Sequence, residues 1–219
     1  MAPSSSILYF KKQAKSLLDH FTQRSQPAIQ RASAALSSLD DFGLMKAQHV
    51  IAVESGFARW NDLIAADDVE LRLVITMGKH PRLNCFGLGL YDSGRGLTAV
   101  ERREALRKQR AELRGDVLTI RWIADWLRTH VSPIKTINQR RSSYGLKHLA
   151  EKFHPHHYVT NGAFIAAAIL SDYLFKTNEG PNVYFGMSER SLKLLEDRHQ
   201  MSRSSGYPGL DPLGLFPPK

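Results

Sequence analysis

The amino-acid sequence predicts a mostly helical α+β protein, with an N-terminal helical module, a small antiparallel sheet and a helical C-terminal half around a buried central helix. Three observations support this prediction. Apolar residues recur every three or four positions within residues 7–66, alternate strictly along 69–77, and cover all sides of a helix from 163 to 170. The predicted organisation is a helical module at 1–66, a basic α+β domain at 67–200 and a tail rich in proline and glycine at 201–219.

The N-terminal module is predicted to hold three helices and a closing aromatic segment. The second helix follows Pro27, and the third ends at Gly56, where glycine is the usual left-handed residue. Phe57, Trp60 and Leu63 recur at three-residue spacing and are expected to pack in the core. The predicted helices cover residues 11–21, 28–39 and 44–53.

Two stretches of this module resemble a known family. Residues 47–52 (AQHVIA) and 56–63 (GFARWNDL) are similar to a small bacterial helical module that occurs beside glyoxalase-like and ankyrin-type domains. The resemblance implies a helical fold for this part of the chain and a bacterial origin. It implies no activity, and the module is expected to add stability, a dimer contact or a partner contact.

Residues 69–90 are predicted to form an antiparallel hairpin. Val69, Leu71, Leu73, Ile75 and Met77 alternate with other residues, which is typical of a strand with one buried face. A loop at 78–82 leads to a second strand, where the apolar residues at 86, 88 and 90 alternate with two glycines. Glycines on one strand face predict the close approach of another backbone.

The C-terminal half is predicted to be helical, with one added strand. Thr98 and Glu101 have the spacing of a capping box, Asp116 precedes a second helix, and Ser132-Pro133 is expected to open a third. Thr160 or Asn161 is expected to cap the apolar central helix. The predicted helices cover 98–114, 117–130, a segment from 133 onward, 144–153, 163–175 and 189–199, and a short strand covers 183–185.

Positive charge is concentrated in one segment of the chain. Residues 101–152 contain 13 Lys and Arg against 6 Asp and Glu. Such a segment predicts a polyanion partner, with DNA expected rather than RNA. A solvated surface and an acidic protein partner are the alternatives. The residues expected to contact nucleic acid are Arg102, Arg103, Arg107, Lys108, Arg110, Lys135, Asn138, Arg140, Arg141, Ser143, Tyr144 and Lys147.

A standard helix-turn-helix does not fit this segment. The helix at 144–153, a turn at 154–157 and the helix at 163–175 have the right order, but the second helix is apolar and cannot expose polar side chains to a groove. An atypical or winged nucleic-acid-binding protein is therefore expected.

Four histidines cluster in the sequence, at His148, His154, His156 and His157. Zinc ligands cluster in this way, yet no HExxH motif, cysteine pair or suitably spaced carboxylate accompanies them. No metal, cofactor or catalytic residue is predicted, although a small hydrolase that depends on histidine or metal remains a third class of function beside nucleic-acid binding and protein interaction.

Several features bound the setting in which the protein works. Cys85 is the single cysteine, the longest strongly apolar run is far shorter than the roughly 20 residues of a membrane span, and no secretory pattern begins the chain. A cytoplasmic protein without a membrane partner is expected, with a homodimer left open. Residues 143–148 (SYGLKH) and 158–168 (YVTNGAFIAAA) resemble segments of uncharacterised proteins from bacterial plasmids and integrative elements, which implies a mobile-element role such as regulation or interference with host defence.

Overall fold

The computed structural model describes residues 4–89, 96–154 and 158–204, without the side chains of 202–204. Over these residues it contains ten helices and five strands in two small antiparallel sheets, which confirms the mostly helical α+β class. The chain forms two compact units, Met1–Ile75 and Thr76–Lys219, hereafter the N-terminal and C-terminal units. No helix among the described residues is long and apolar enough to cross a membrane.

The N-terminal unit is built from helices around one apolar core. Leu63 is fully buried in that core, and the partly buried Phe57 and Trp60 pack against it, so the predicted packing role of all three is confirmed. Gly56, two residues after the last residue of the third helix, has φ 75°, as predicted for the end of this helix. The helices are α1 (Ser5–Thr22), α2 (Gln26–Ala35), α3 (Leu44–Glu54), α4 (Trp60–Ala65) and α5 (Asp68–Lys79), the last of which runs past the boundary at Ile75.

The strand predicted at 69–77 was wrong, because this segment is helix α5. Its start has the signals of a helix: the Asp67 carboxylate accepts a hydrogen bond from the backbone N–H of Val69 at 2.9 Å, and Asp68 and Glu70 place acidic groups in the first turn. The alternation is incomplete as evidence for a strand, because Val74 also packs against the core and Thr76 is buried.

The predicted hairpin exists in a shorter form and at a different position. Strand β1 (Leu83–Asn84) pairs with β2 (Gly87–Leu88), and the Asn84 side chain closes the turn by accepting from the Phe86 backbone N–H at 2.8 Å. Gly87 has φ 138°, and a Cβ there would lie 2.2 Å from the backbone oxygen of Pro181. The close backbone approach predicted for a glycine on this strand is therefore observed at Gly87, whereas position 90 lies outside the described residues.

The helices of the C-terminal unit mostly agree with the sequence prediction. The capping box between Thr98 and Glu101 is present, and Thr160 caps the central helix by accepting from the Ala163 N–H at 3.1 Å. The central helix ends five residues earlier than predicted. The helices are α6 (Ala99–Gly115), α7 (Val117–His130), α8 (Ser143–Glu151), α9 (Asn161–Leu170) and α10 (Glu189–Ser204).

The helix predicted to open at Ser132-Pro133 was also wrong, because strand β3 (Pro133–Ser142) occupies this segment. It pairs antiparallel with β5 (Val183–Met187), which also pairs with β4 (Phe175–Thr177), so β3 lies at an edge of the sheet. Proline is tolerated as the first residue of an edge strand, and β-branched Ile134, Thr136 and Ile137 favour extended backbone.

Helix α9 is the buried centre of the C-terminal unit, as predicted. Every residue from Asn161 to Ala168 is buried, and α9 packs on α7, α8 and the β1–β2 hairpin. Gly162 allows the closest of these approaches: its N–H donates to the Cys85 carbonyl at 2.9 Å, and a Cβ would lie only 1.8 Å from the carbonyl oxygen of Asn84. The start of α9 is thereby fixed against the turn of the hairpin.

Candidate functional site

The two units divide the charge of the chain unequally. Residues 1–75 contain eight Lys and Arg and eight Asp and Glu, whereas residues 76–219 contain 22 and 13. The formal net charge of +9 therefore belongs entirely to the C-terminal unit. The positions and partners of these cations decide how much of that charge is available to a ligand.

Helix α6 carries exposed cations, but acidic residues accompany them. Arg102, Arg103, Arg107 and Lys108 are all exposed. Arg107 is paired with Glu104, with an Nη2–Oε1 distance of 2.7 Å, and Glu101 and Glu112 are exposed on the same helix. The outward surface of α6 is therefore less basic than the run of arginines in the sequence suggests.

Arg110 supports the fold. Its guanidinium donates hydrogen bonds to the backbone oxygens of Met77 at 3.0 Å, Pro81 at 2.8 Å and Leu83 at 3.0 Å. These carbonyls lie at the end of α5 and the start of β1, where helix geometry leaves acceptors without intrahelical donors. Because those donors are used inside the protein, Arg110 is poorly placed to contact a phosphate.

Arg141 is held by two carboxylates of α10. Its Nη2 lies 2.8 Å from Oε1 of Glu189, and its Nη1 lies 2.5 Å from Oε1 of Glu196. Hydrogen bonds from Arg141 lower the pKa of both carboxyl groups. The same hydrogen bonds, to Glu196 and Glu189, raise the pKa of the Arg141 guanidinium. This three-residue cluster, the Arg141 clasp, joins the end of β3 to α10 and neutralises a cation that the sequence places in the basic segment.

Two further predicted contact residues also have structural roles. The Asn138 amide donates to the carbonyl of Met187 at 3.2 Å and to Glu189 at 3.0 Å, at an irregularity in the β3–β5 pairing. Ser143 is completely buried, and its hydroxyl oxygen accepts from the Val183 N–H at 3.2 Å. Both side chains stabilise the sheet and are removed from a nucleic-acid interface.

Lys135 and Arg140 are the cations that β3 exposes. The Arg140 backbone N–H donates to Asn138, while its side chain lies on the surface. Strand β3 packs against β5 and α8, whereas α6 packs against β1. The exposed cations of the predicted contact set therefore lie on two separate elements.

A cleft of about 620 Å³ lies beside α8 in the C-terminal unit. Helix α6 contributes Glu112 to it, α8 contributes Tyr144 and Lys147, and the start of α9 contributes Asn161. The remaining lining residues are Cys85, Phe86, Tyr158, Thr160, Pro181 and Asn182. We call this space the α8 cleft; of the predicted contact residues, it brings together only Tyr144 and Lys147.

Lys147 is the central cation of the α8 cleft. Its side chain is 9% exposed, and Nζ lies 2.8 Å from Oε1 of Glu151. Nζ also lies over two aromatic rings, 5.2 Å from the Tyr144 centroid and 5.8 Å from the Tyr158 centroid. Glu151 also accepts hydrogen bonds from His148 and from the Val159 N–H. Burial alone would raise the pKa of Glu151, but these two hydrogen bonds and the one from Lys147 lower it.

Cys85 and Asn161 also line the α8 cleft. Burial raises the pKa of the Cys85 thiol to about 12, and a hydrogen bond to Glu112 adds to the increase, so the thiol is protonated at neutral pH and is not an activated nucleophile. The Asn161 amide donates to the Phe86 carbonyl at 2.8 Å and to Asn182 Oδ1 at 3.0 Å. Its own Oδ1 is buried and accepts no hydrogen bond from the residues that the structure describes.

The histidine cluster does not assemble in the described part of the chain. His148 is exposed and contacts Glu151, whereas His154 is buried, with its ring 4.7 Å from that of Trp122 at nearly a right angle. His156 and His157 lie outside the described residues. Within the ranges that the structure describes, no group of three or more His, Cys, Asp or Glu is placed to hold a metal ion.

Most of the α8 cleft was not anticipated from the sequence. Glu112, Tyr158, Asn161 and Asn182 come from separate segments of the chain, and only folding brings them together around one space. The four-residue spacing of Lys147 and Glu151 on one helix was the single local signal that could have indicated this pair.

Comparison with protein-family models, curated protein sequences and solved structures finds no match for this chain. The two resemblances drawn from short sequence stretches therefore stay predictions.

Proposed function

We propose that this protein binds nucleic acid through its C-terminal unit. One observation carries the proposal: the whole net charge of +9 lies in residues 76–219, while residues 1–75 are neutral. A chain that needed positive charge only for solubility would have no reason to confine it to one unit. Confinement favours a polyanionic partner for that unit.

The contact residues in this proposal are fewer than the sequence alone suggested. Arg110, Arg141 and Lys147 hold internal partners, and Asn138 and Ser143 support the sheet. Exposed cations supply phosphate contacts in most nucleic-acid interfaces. The remaining cations of the predicted set are all exposed: Arg102, Arg103, Arg107 and Lys108 on α6 and Lys135 and Arg140 on β3.

The finer parts of the proposal follow from the sequence. DNA is the proposed polymer. The cytoplasm is the proposed location, because a single cysteine is typical of a chain that does not depend on disulfides. A regulatory role on a bacterial mobile element rests on the resemblance of residues 143–148 and 158–168 alone.

A fluorescence-anisotropy titration tests the proposal. Labelled duplex DNA, single-stranded DNA and RNA of equal length are titrated with the protein at roughly 50 and 200 mM salt. The proposal predicts binding at low salt that weakens steeply at high salt, because phosphate contacts release counterions. Absence of binding to all three polymers at low salt would overturn the proposal and leave an acidic protein as the partner for the same cations.

A matched pair of variants locates the binding surface. Replacing Lys135 and Arg140 with alanine removes two exposed cations of β3, and replacing Arg102 and Arg103 removes two of α6. If only α6 or only β3 neutralises phosphates, only the variant in that element has a lower affinity and a smaller salt slope. The slope should fall by about one for each phosphate that is no longer neutralised. If neither variant changes either quantity, these cations do not bind the nucleic acid.

A further inference from the structure

The α8 cleft concentrates exposed aromatic side chains. Four aromatic residues are exposed among those that the structure describes, and three of them, Phe86, Tyr144 and Tyr158, line this one cleft. Their exposed fractions are 46%, 53% and 68%. Large aromatic side chains normally bury most of their surface, so three partly exposed rings around one cleft indicate a surface for stacking.

The charge at the rings indicates what the cleft would accept. Lys147 Nζ already lies over both tyrosine rings, and Glu151 balances its charge. A cationic guest would meet this ammonium at a distance where like charges repel, so an aromatic cage for an ammonium group does not fit. A neutral planar ring can stack on the tyrosines without that repulsion.

Two acceptors in the polar lining of the cleft have unused lone pairs. The Glu112 carboxylate accepts from the Cys85 thiol and has further lone pairs, and the buried Oδ1 of Asn161, a residue only 6% exposed, accepts nothing from the described part of the protein. A buried acceptor without a donor is unfavourable, so a guest that brings N–H groups would be preferred over one that brings only acceptors.

We propose that the α8 cleft binds one nucleobase that carries an amino group, by stacking on Tyr144 and Tyr158 and donating hydrogen bonds to the acceptors of the cleft. A volume of about 620 Å³ is within the range of small-molecule pockets and admits a nucleoside. The base belongs either to a free nucleotide or to an unstacked position of a single strand. The second possibility rests on the proposed function, because it requires that the protein binds nucleic acid.

Calorimetric titration with adenosine and AMP tests the cleft without a polymer. Binding is expected for both ligands, and the Tyr144→Ala and Tyr158→Ala variants are expected to lose at least about fivefold in affinity, as for other base-stacking aromatic residues. The Tyr144→Phe variant keeps the ring and should bind as the wild type does. Thermal unfolding of each variant establishes that it is folded.

A second arm separates the two sources of the base. Anisotropy titrations compare an adenine-containing single strand with an abasic strand of the same length, for the wild type, Tyr158→Ala and Lys135→Ala/Arg140→Ala. If the base comes from a strand, Tyr158→Ala weakens binding only of the strand with bases, while Lys135→Ala/Arg140→Ala weakens both. If it comes from a free nucleotide, Tyr158→Ala affects adenosine and AMP alone.

The outcomes distinguish this inference from the proposed function. Binding of adenosine that depends on Tyr144, with no binding of any strand, supports the cleft and overturns the nucleic-acid proposal. Strand binding that the tyrosine variants leave unchanged, together with no binding of adenosine or AMP, overturns the cleft and leaves the nucleic-acid proposal standing.

Discussion

The N-terminal and C-terminal units of the chain differ in net charge and in what surrounds their buried helices. The N-terminal unit is helical, carries no net charge and has one apolar core closed by Leu63. The C-terminal unit carries the whole net charge of +9, and its buried helix α9 meets a hairpin and a cleft lined with polar groups. The basic character of this chain therefore belongs to one structural unit.

The two units also differ in the exposure of their ion pairs between arginine and glutamate. In the N-terminal unit, Arg31 makes a two-pronged pair with Glu54, and the two side chains are 42% and 34% exposed. In the C-terminal unit, the Arg141 side chain is 22% exposed and is held by two carboxylates. Solvent and salt weaken the first pair more than the second, so similar geometry should give different stabilities.

The largest effect is expected at Gly162. Replacing it with alanine would place a Cβ 1.8 Å from the Asn84 carbonyl oxygen, so α9 or the hairpin must move. We expect Gly162→Ala to lower the free energy of unfolding of the C-terminal unit by at least about 3 kcal/mol. Denaturant unfolding measures this change.

Gly145→Ala provides the matched control, because a Cβ at Gly145 in α8 meets no atom within 4 Å. It should stabilise the helix by up to about 1 kcal/mol. Equal effects of the two substitutions would contradict the close approach at Gly162.

The second prediction concerns the core of the N-terminal unit. Leu63 is fully buried, and Leu63→Ala should cost about 2–5 kcal/mol because apolar burial is lost and a cavity remains. Because the charge resides elsewhere, the folded variant should bind nucleic acid with wild-type affinity. A loss of affinity in Leu63→Ala protein that circular dichroism shows to be folded would tie the N-terminal unit to binding.

Removing the arginine of either ion pair should destabilise the protein less than the two substitutions above, and by different amounts in the two units. Arg141→Ala leaves the carboxylates of Glu189 and Glu196 without their donor and should destabilise the protein by about 2 kcal/mol. Arg31→Ala should cost no more than about 1 kcal/mol. Chemical unfolding at two salt concentrations checks both values, and a larger loss for Arg31→Ala would reverse the comparison.

The Arg141 clasp also predicts a dependence on pH. Hydrogen bonds from Arg141 lower the folded-state pKa of Glu189 and Glu196, so their contribution is complete above the ordinary carboxyl pKa and is lost as the pH falls through the lowered values. The difference in Tm between the wild type and Arg141→Ala should therefore be largest near pH 7 and should shrink toward pH 3. A difference that grows with acidity would mean that the clasp does not stabilise the fold.

The sequence predicted most of the helices because their caps and periods are local. The capping box of Thr98 and Glu101, the left-handed Gly56 and the apolar α9 could each be identified from a few neighbouring residues. The segment at 69–77 was predicted as a strand and is a helix, whereas the segment at 133–142 was predicted as a helix and is a strand. Apolar alternation and an initial proline are compatible with either a helix or a strand, so tertiary packing decides between them.

The candidate site was less predictable for a related reason. The linear charge count could not reveal that the cations at 110, 141 and 147 have partners such as the Leu83 carbonyl, Glu196 and the Tyr158 ring, which other segments supply. The α8 cleft likewise joins residues from the hairpin, α6, α8 and α9. Charge composition indicated the unit to consider, but individual contacts required the fold.

The most direct measurement compares exposed lysines and arginines taken from the two units. Lys11 and Lys12 are exposed in the neutral N-terminal unit, as Lys135 and Arg140 are in the C-terminal unit. Each double alanine variant removes two charges, and anisotropy titration with single-stranded and duplex DNA at several salt concentrations gives the affinity and the salt slope. We predict that Lys135→Ala/Arg140→Ala weakens binding and reduces the slope by about two, while Lys11→Ala/Lys12→Ala leaves both at wild-type values. Equal losses in the two variants would contradict the assignment of binding to the C-terminal unit.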